Sequence, residues 1–345
     1  MRTIRITGTG SALPGRIVTN KELEQMVETS DEWIRERTGI GERHVSVGET
    51  VVTLASEAAR KALEQAGKRA EEIDLILVAT CSPEQYLPCC ACRVQADIGA
   101  VNALAFDVNA ACSGFLFALN TADAYLRMGL AENALIIGSE VLSKLVDWTD
   151  RSSCILFGDG AGAVVVEQCG TESRAVEEKR IPAAGILGRE LHSDGTGGGV
   201  LQCGARELTT PYARTSAAKT DQNQPTNDRE HYIQMDGQEV YRFATRRVPQ
   251  CIEEALSDAG LAVPDIDMFV LHQANARIID AVAKRLHADR EKFPTNLERV
   301  GNLSSASIPV LLDELNRQEK LHRGDRIVLA GFGAGLTIGA CVMTW

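Results

Sequence analysis

Short apolar runs alternate along the chain with longer amphipathic stretches. Apolar runs rich in β-branched side chains predict strands that are buried on both faces of a sheet. We expect such strands at residues 75–79, 134–137, 163–166, 269–271 and 327–330. Residues 51–66 and 239–259 have the apolar spacing of helices. Each of these stretches is followed by a glycine, Gly67 or Gly260, and helices commonly end at this residue type.

Both predicted helices are followed by the same kind of sequence, which is an acidic turn and then a buried strand. The acidic turns are residues 70–74 and 264–267. This faint repeat predicts two similarly built α/β halves, residues 1–170 and 171–345. The polar stretch at residues 205–229, and above all its part at 213–227, predicts an exposed loop that is mobile.

Composition excludes several classes of protein. The 345 residues include 36 Lys and Arg against 47 Asp and Glu, for a net charge of −11, which argues against nonspecific binding to nucleic acid or to an anionic membrane. No stretch has the ~18 uncharged apolar residues of a membrane span, and the first residues lack the apolar core of a signal peptide. We therefore expect a cytoplasmic protein.

Ten cysteines in a chain of this length are too few for a disulfide scaffold, so we expect them to be reduced. Cys89 and Cys92 have C-x-x-C spacing, with Cys90 between them. A zinc site would require a second pair of ligands at matching spacing, and the sequence has none. We interpret all three as ordinary buried thiols.

The glycine-rich stretch 158–163 matches the pattern G-x-G-x-x-A of dinucleotide-binding loops. However, a predicted strand follows it, and a pyrophosphate needs the N-terminus of a helix at that point. We therefore expect a tight turn between two strands here, and no nucleotide.

Cys112 lies between a predicted strand and an apolar-faced helix that continues to Leu126. A thiol at the start of a helix is stabilised as the thiolate by the helix dipole, which predicts a lowered pKa and a nucleophilic role. The small neighbours on both sides leave room for a substrate. A buried structural cysteine remains the alternative on these residues alone.

His272 directly follows the predicted strand 269–271, and functional side chains commonly collect where such strands end. The alternative is a histidine that caps a helix. Asn302 lies in a small-residue stretch before Pro309 and by itself is typical of a turn asparagine. The remaining histidines have polar neighbours and are expected at the surface; they are His44, His192, His231, His287 and His322.

Together, ordered segments spread over the whole chain resemble the β-ketoacyl-acyl-carrier-protein synthase III family of the thiolase superfamily. The matching segments are residues 29–34 (TSDEWI), 37–40 (RTGI), 109–115 (NAACSGF), 150–151 (DR), 156–163 (LFGDGAGA), 272–277 (HQANAR), 301–302 (GN) and 331–336 (GFGAGL). The resemblance implies a thiolase-like α/β fold, with two halves related by a pseudo-twofold axis in α-β-α-β-α layers. It also implies a homodimer, and a single site at which Cys112, His272 and Asn302 converge.

The resemblance also implies the reaction. Cys112 takes an acyl group from acyl-coenzyme A, and malonyl-acyl carrier protein then loses carbon dioxide and attacks the acyl thioester. His272 and Asn302 donate hydrogen bonds to the enolate, while the backbone N–H groups of Cys112 and Ala334 form the oxyanion hole. Coenzyme A enters as part of a substrate, and no metal or other cofactor is expected.

Binding residues are implied in the same way. Trp33 and Arg151 correspond to the pair that sandwiches the adenine, Arg37 faces phosphate, and Gly237 and Asn275 line the pantetheine tunnel. An acidic carrier protein calls for a basic patch, and solvated helix faces are the alternative interpretation of the candidates. These are Arg242, Arg246, Arg247, Arg277, Lys284 and Arg285.

The chain departs from the commonest family pattern in several places. Ala334 stands between two glycines, Ile338 stands where tryptophan is frequent, and Leu87 stands where many members place a phenylalanine that reaches the partner's acyl pocket. The two smaller aliphatics suggest longer or branched primers. The leading hypothesis is the initiating enzyme of fatty acid synthesis. The alternatives are a secondary-pathway condensing or acyl-transfer enzyme and, more remotely, a non-catalytic binder of acyl carrier protein or acyl-coenzyme A.

Overall fold

The computed structural model describes residues 2–170, 173–176, 179–182, 185–204 and 228–345, and the polar loop predicted at 205–229 lies outside this part except for its last two residues. The strands are β1 (Arg2–Ala12), β2 (Ile17–Thr19), β3 (Glu42–His44), β4 (Leu75–Ala79), β5 (Leu104–Val108), β6 (Asn133–Val141), β7 (Asp159–Gly170), β8 (Ser173–Val176), β9 (Lys179–Pro182), β10 (Gly185–Ser193), β11 (Leu201–Gln202), β12 (Gln234–Met235), β13 (Met268–Leu271), β14 (Arg326–Gly333) and β15 (Thr337–Thr344). The helices are α1 (Asn20–Leu23), α2 (Asp31–Thr38), α3 (Val51–Ala66), α4 (Cys90–Ile98), α5 (Gly114–Met128), α6 (Arg151–Cys154), α7 (Gly237–Ala259), α8 (Ala276–Arg285), α9 (Leu297–Val300) and α10 (Ser307–Arg317).

Two main sheets have matching topology. The strand order is β1-β7-β6-β4-β5 in the first sheet and β10-β15-β14-β13 in the second. In each sheet the first two pairings are antiparallel and the third is parallel. β5 adds a further parallel strand at one edge of the first sheet. The repeat seen in the sequence is therefore a repeat of whole sheets.

The helices that the sequence pointed to occupy equivalent places in the two halves. α3 ends at Gly67 with φ 64°, and α7 ends at Gly260 with φ 67°. β1 and β10 carry a register shift at the same point, next to Gly8 and Gly188. A side chain at Gly8 would meet the backbone of α3, and one at Gly188 would meet the backbone of α7. Each helix thus lies directly on the strand that opens its half.

Three apolar clusters define five layers. α3 and α4 cover the outer face of the first sheet, and α7 and α8 cover the outer face of the second. Between the sheets lie α5 and α10, whose apolar side chains contact strands of both sheets. This is the α-β-α-β-α arrangement of the thiolase fold, and it puts the starts of α5 and α10 at the centre of the molecule.

Two expectations from the sequence are wrong. Residues 159–163 do not form a turn between two strands, because they begin strand β7 and the segment before it is the short helix α6. Cys89, Cys90 and Cys92 are not all buried: Cys90 is, but Cys89 is half-buried and Cys92 is exposed on the first turn of α4. Among the described helices, none has the length and hydropathy needed to cross a membrane.

Candidate active site

Cys112 lies in a short 3₁₀ turn, Ala111–Ser113, which connects β5 to α5. The turn begins with Ala111 at φ 46°, a left-handed conformation that residues with a side chain rarely adopt. Asn109 stabilises the turn, because its side-chain oxygen accepts a hydrogen bond from the Ala111 N–H at 3.3 Å. Cys112 therefore has a fixed position before the first turn of a central helix.

The second half contains the same turn. Ser304–Ala306 precedes α10, and Ser304 has φ 48°. The Asn302 side-chain oxygen accepts a hydrogen bond from the Ser304 N–H at 2.9 Å. Residues 302–305 thus correspond to residues 109–112, with Asn302 in the place of Asn109 and Ser305 in the place of Cys112.

Asn302 is held by the first half of the chain. Its backbone N–H donates to the Leu156 carbonyl at 2.9 Å, and its carbonyl accepts from the Gly158 N–H at 3.0 Å. The side-chain oxygen of Asn302 already accepts the hydrogen bond from the Ser304 N–H. Its NH₂ group is therefore the part that can interact with a molecule in the cavity described below. The turn asparagine expected from the sequence is therefore also a lining residue of this cavity.

His272 follows the end of β13 and is buried. Burial lowers the pKa of its imidazole to about 3, so the ring is neutral at physiological pH. Nδ1 is buried and has no hydrogen-bond partner among the described residues. A buried N–H without an acceptor is rare, so the proton belongs on Nε2. The ring stands edge-on to Phe332, with 5.5 Å between ring centroids.

Two cavities meet at Cys112. The larger, about 230 Å³, is mainly apolar, and we call it the thiol cavity. Its lining includes Cys81, Leu142, Leu145, Ile233, Ser304 and Ala334. The smaller, about 120 Å³, we call the histidine cavity; its lining includes Gly237, Tyr241, His272, Asn275, Asn302 and Phe332. The structure therefore brings together Cys112, His272 and Asn302, which lie far apart in the sequence.

The backbone N–H groups predicted for the oxyanion hole lie at the same place. Cys112 and Ala334 both line the thiol cavity. A Cβ at Gly333 would lie 2.7 Å from the Cys112 backbone nitrogen, so the end of β14 reaches this N–H only because residue 333 is glycine. Within the described residues, the Ala334 N–H donates to no protein acceptor, so it is available to a substrate oxygen.

The prediction of a lowered Cys112 pKa is wrong for the protein without substrate. Burial raises the pKa of this thiol to about 12, and the negative charge of Glu140 adds to the rise. The helix dipole is worth roughly 0.3–1 kcal/mol at most termini, which is small beside the desolvation of a buried thiolate. Cys112 is therefore a thiol until other groups stabilise its charge.

Glu140 was not expected from the sequence, although a lone carboxylate at the end of an apolar run was a usable signal. It is fully buried at the end of β6, and burial raises its pKa. It accepts hydrogen bonds from Ser82 Oγ at 2.5 Å, Ser305 Oγ at 2.8 Å and the Cys81 N–H at 3.1 Å. Glu140 thus joins the loop after β4 to the turn that follows Asn302.

The predicted coenzyme A residues divide into two groups. Gly237 and Asn275 line the histidine cavity. Trp33 lies outside both cavities, with the guanidinium of Arg151 4.9 Å and that of Arg37 5.8 Å from its ring centroid. The Asn275 side chain donates to the Arg37 carbonyl at 3.0 Å, which connects the two groups.

Of the three positions that depart from the family pattern, Ala334 lines the thiol cavity, and Leu87 and Ile338 line neither cavity of this chain. Leu87 is 85% exposed. Ile338 is packed in the core of the second half and lines neither cavity, so it does not widen the primer pocket directly.

All the predicted docking residues lie on α7 and α8, and none of them lines either cavity. Arg242, Arg246, Arg277, Lys284 and Arg285 are exposed and Arg247 is half-buried. Arg242 pairs with Glu239. The Arg277 guanidinium lies 5.7 Å from the ring centroid of Tyr241, a lining residue of the histidine cavity. The described part of the chain contains no group of three or more His, Cys, Asp or Glu side chains placed to hold a metal.

Comparisons with known proteins agree over the whole chain. The family model of 3-oxoacyl-[acyl-carrier-protein] synthase III matches residues 106–195, and the model of its C-terminal part matches residues 256–345. A β-ketoacyl-[acyl-carrier-protein] synthase III of Clostridium acetobutylicum is 45% identical over 345 residues, which cover 100% of this chain and 99% of the relative.

Solved structures have the same fold. The 3-oxoacyl-[acyl-carrier-protein] synthase III of Aquifex aeolicus has a TM-score of 0.87 at 40% identity, with 99% of this chain and 100% of that chain covered. The priming β-ketosynthase of the R1128 polyketide biosynthetic pathway has a TM-score of 0.86 at 35% identity, with 99% and 96% covered. This chain therefore belongs to the β-ketoacyl-[acyl-carrier-protein] synthase III family of thiolase-fold condensing acyltransferases.

Proposed function

We propose that this protein condenses an acyl-coenzyme A primer with malonyl-acyl carrier protein, giving 3-oxoacyl-acyl carrier protein, coenzyme A and carbon dioxide, and so initiates fatty acid synthesis. The observation that carries this proposal is the meeting of two unlike cavities at Cys112. One is apolar and suits an acyl chain, and the other contains two neutral hydrogen-bond donors, His272 and Asn302.

In the first half-reaction, Cys112 Sγ attacks the thioester carbonyl of the primer. The oxygen of the tetrahedral intermediate accepts hydrogen bonds from the N–H groups of Cys112 and Ala334. The carbon–sulfur bond to coenzyme A breaks, the proton of the Cys112 thiol ends on the coenzyme A thiol, and the acyl chain occupies the thiol cavity.

In the second half-reaction, the malonyl thioester occupies the histidine cavity. Loss of carbon dioxide leaves an enolate, whose oxygen accepts hydrogen bonds from His272 Nε2–H and the Asn302 amide. A neutral imidazole serves here because the step requires a donor and no change of its charge. The enolate carbon attacks the acyl thioester, and Cys112 leaves as the thiolate. These steps need no metal or further cofactor.

We also propose that the protein is a homodimer. β5 is an edge strand, and around it lie exposed apolar side chains: Tyr86 is 70%, Leu87 85%, Val101 74% and Leu104 54% exposed. Unpaired edges and apolar patches of this kind favour association. A second copy paired at β5 would cover the patch, and Leu87 would then point at the partner and not at its own cavity. A cytoplasmic location fits the ten free cysteines, one of them the nucleophile.

The carrier protein is proposed to dock on the basic faces of α7 and α8. Arg277 supports this location, because its guanidinium lies 5.7 Å from the ring centroid of Tyr241, which lines the histidine cavity. Arg246, Lys284 and Arg285 have no ion-pair partner within the described residues, and are therefore available to an acidic partner.

The test separates the two half-reactions. The protein is incubated with acetyl-, isobutyryl- and octanoyl-coenzyme A, and the masses of the intact protein and of the Cys112 peptide are measured. The longer and branched primers are included because Leu87 and Ile338 stand where larger aromatic residues are frequent in the family. We expect one acyl group on Cys112, which malonyl-acyl carrier protein removes as a 3-oxoacyl product.

Two variants control this experiment. Cys112→Ala should take up no acyl group, and acylation that persists in it would exclude the mechanism. His272→Ala should still be acylated, while condensation falls by roughly 10²–10³, the usual effect of losing one donor to a developing oxyanion. Condensation at the wild-type rate in His272→Ala would show that another group stabilises the enolate.

A further inference from the structure

Ser304 has a buried hydroxyl for which the proposed mechanism has no role. The residue is 2% exposed, and its Oγ has no hydrogen-bond partner among the described residues. It lines the thiol cavity together with Cys112 and Cys81. Burying a hydroxyl without a partner is unfavourable, so a group that appears during the reaction is its natural acceptor.

The backbone holds Ser304 in a conformation that a side chain disfavours. Its φ is 48°, and residues on both sides keep it there. Asn302 Oδ1 accepts from the Ser304 N–H at 2.9 Å, and the Ser305 hydroxyl lies 2.8 Å from the Glu140 carboxylate. Strained residues that are fixed from both sides are frequent at functional sites.

The titratable groups near this hydroxyl are Cys81, Cys112 and Glu140. The Cys81 thiol donates to Glu140 Oε1 at 3.5 Å, and burial together with this carboxylate raises the pKa of Cys81 well above its ordinary value. Cys81 therefore stays a thiol. For Cys112, burial raises the pKa to about 12, and the Ser304 hydroxyl opposes that rise. The Ser304 hydroxyl opposes the rise in pKa at Cys81 as well, but only Cys112 acquires negative charge in the proposed reaction, so Cys112 is the thiolate that this hydroxyl would stabilise.

We propose that Ser304 is a further catalytic residue, whose hydroxyl donates a hydrogen bond to the Cys112 sulfur whenever that sulfur carries negative charge. This inference rests on the proposed function. The bond forms when Cys112 attacks the primer, and again when Cys112 leaves as the thiolate during condensation. It compensates part of the desolvation that a buried thiolate suffers.

Alkylation of Cys112 by iodoacetamide as a function of pH tests the proposal without any acyl substrate. The rate is followed on the Cys112 peptide by mass spectrometry. In Ser304→Ala and Ser304→Gly we expect alkylation at pH 8 to be about 10- to 100-fold slower, the effect of one hydrogen bond to a charged group. Acylation by the best primer should slow by a similar factor, with an unchanged KM.

Ser307→Ala is the matched control. Ser307 lies three residues further along, is 1% exposed, and has an equally unpartnered hydroxyl, but it does not line the thiol cavity. Cys112 in the Ser307→Ala variant should be alkylated at the wild-type rate. Ser304→Gly keeps the test valid if alanine is not tolerated at this φ, because glycine adopts it without strain.

The possible outcomes separate this proposal from the proposed function. Alkylation of both Ser304 variants within twofold of the wild-type rate overturns the role of Ser304, whatever acyl-coenzyme A does. If the variants are slowed but no primer acylates the wild type, the hydrogen bond stands and the proposed function fails. Equal slowing in Ser307→Ala would mean a general loss of packing, and would also overturn the proposal.

Discussion

The turns at residues 109–112 and 302–305 have the same backbone and different chemistry. Both begin with an asparagine that accepts a hydrogen bond from the residue two positions later, and both contain a left-handed residue, Ala111 or Ser304. At the fourth position the first turn has Cys112, which opens onto both cavities. The second has Ser305, whose hydroxyl lies 2.8 Å from both the Glu140 carboxylate and the Ala79 carbonyl oxygen.

The asparagines that begin the two turns differ in exposure and in the cavity that they line. Asn109 is exposed and lines only the thiol cavity, whereas Asn302 is buried and lines the histidine cavity. In the proposed mechanism, the first turn therefore contributes the nucleophile and the second contributes a donor to the enolate. The comparison shows that one backbone conformation, used twice, brings Cys112 and Asn302 to the same cavity. In the proposed mechanism, the side chains at the two turns then act in different half-reactions.

Replacing the two asparagines should produce the largest difference between the turns. Asn302→Ala removes a donor to the enolate, so we expect condensation to fall by about 10²–10³ while Cys112 acylation changes only a few-fold. Asn109→Ala removes the equivalent turn bond but no donor to the histidine cavity, so its loss of condensation should stay below about tenfold. Single-turnover acylation and carbon dioxide release measure the two steps.

Asn302→Asp distinguishes the role of the Asn302 amide as a donor from its role in stabilising the turn. The aspartate keeps an oxygen for the Ser304 N–H, but it has no NH₂ group and it repels the enolate. It should condense no faster than Asn302→Ala. Wild-type condensation in Asn302→Asp would mean that the amide acts only in the turn, and the division between the two copies would be refuted.

The pH dependence of the two half-reactions should differ as well. Cys112, with its pKa raised to about 12, gains thiolate as pH rises, so acylation should accelerate by up to about tenfold per pH unit between pH 6 and 9. His272, with its pKa lowered to about 3, is neutral throughout, so carbon dioxide release from pre-acylated protein should stay level from pH 5 to 8. Stopped reactions at each pH provide both rates.

The pH dependence of carbon dioxide release is the more specific test of the protonation state of His272. An inflection in carbon dioxide release near pH 6.5 that is lost in His272→Gln would show that the imidazole titrates with its ordinary pKa. The idea that burial keeps it neutral would then be wrong. Burial acts on the two groups in the same way, since it disfavours both charges, but this helps His272 and hinders Cys112.

Much of the fold could be predicted because local signals and the fold agree. The helix 51–66 and the strand 75–79 are found as predicted, and α7 starts two residues before its predicted beginning, at Gly237. The prediction of a turn at 158–163 is wrong because Gly160 and Gly162 lie inside β7, where each allows close packing against another segment. Such long-range packing leaves no local signal in the sequence. The family resemblance, and not periodicity, pointed to Asn302.

The site was less predictable where long-range burial decides the chemistry. A helix start predicts a lowered thiol pKa for Cys112, and only the folded environment shows that desolvation is larger. Ser304 looks like its serine neighbours in the sequence, and the left-handed φ that distinguishes it depends on contacts with Asn302 and Ser305. The predicted roles of Trp33, Arg37, Arg151 and the basic residues on α7 and α8 remain predictions.

The smallest expected effect concerns the shared strain of the turns. A left-handed conformation costs an alanine roughly 1–2 kcal/mol, and glycine loses about 0.5–1 kcal/mol through its more flexible unfolded state. Ala111→Gly should therefore raise the free energy of unfolding by up to about 1 kcal/mol, measured by denaturant titration. Gly67→Ala is the reverse experiment: Gly67 has φ 64° and open space around it, so only the backbone strain changes, and stability should fall by a similar amount. A loss of stability in Ala111→Gly would mean that the first turn stores no strain and depends on the Ala111 methyl group for packing.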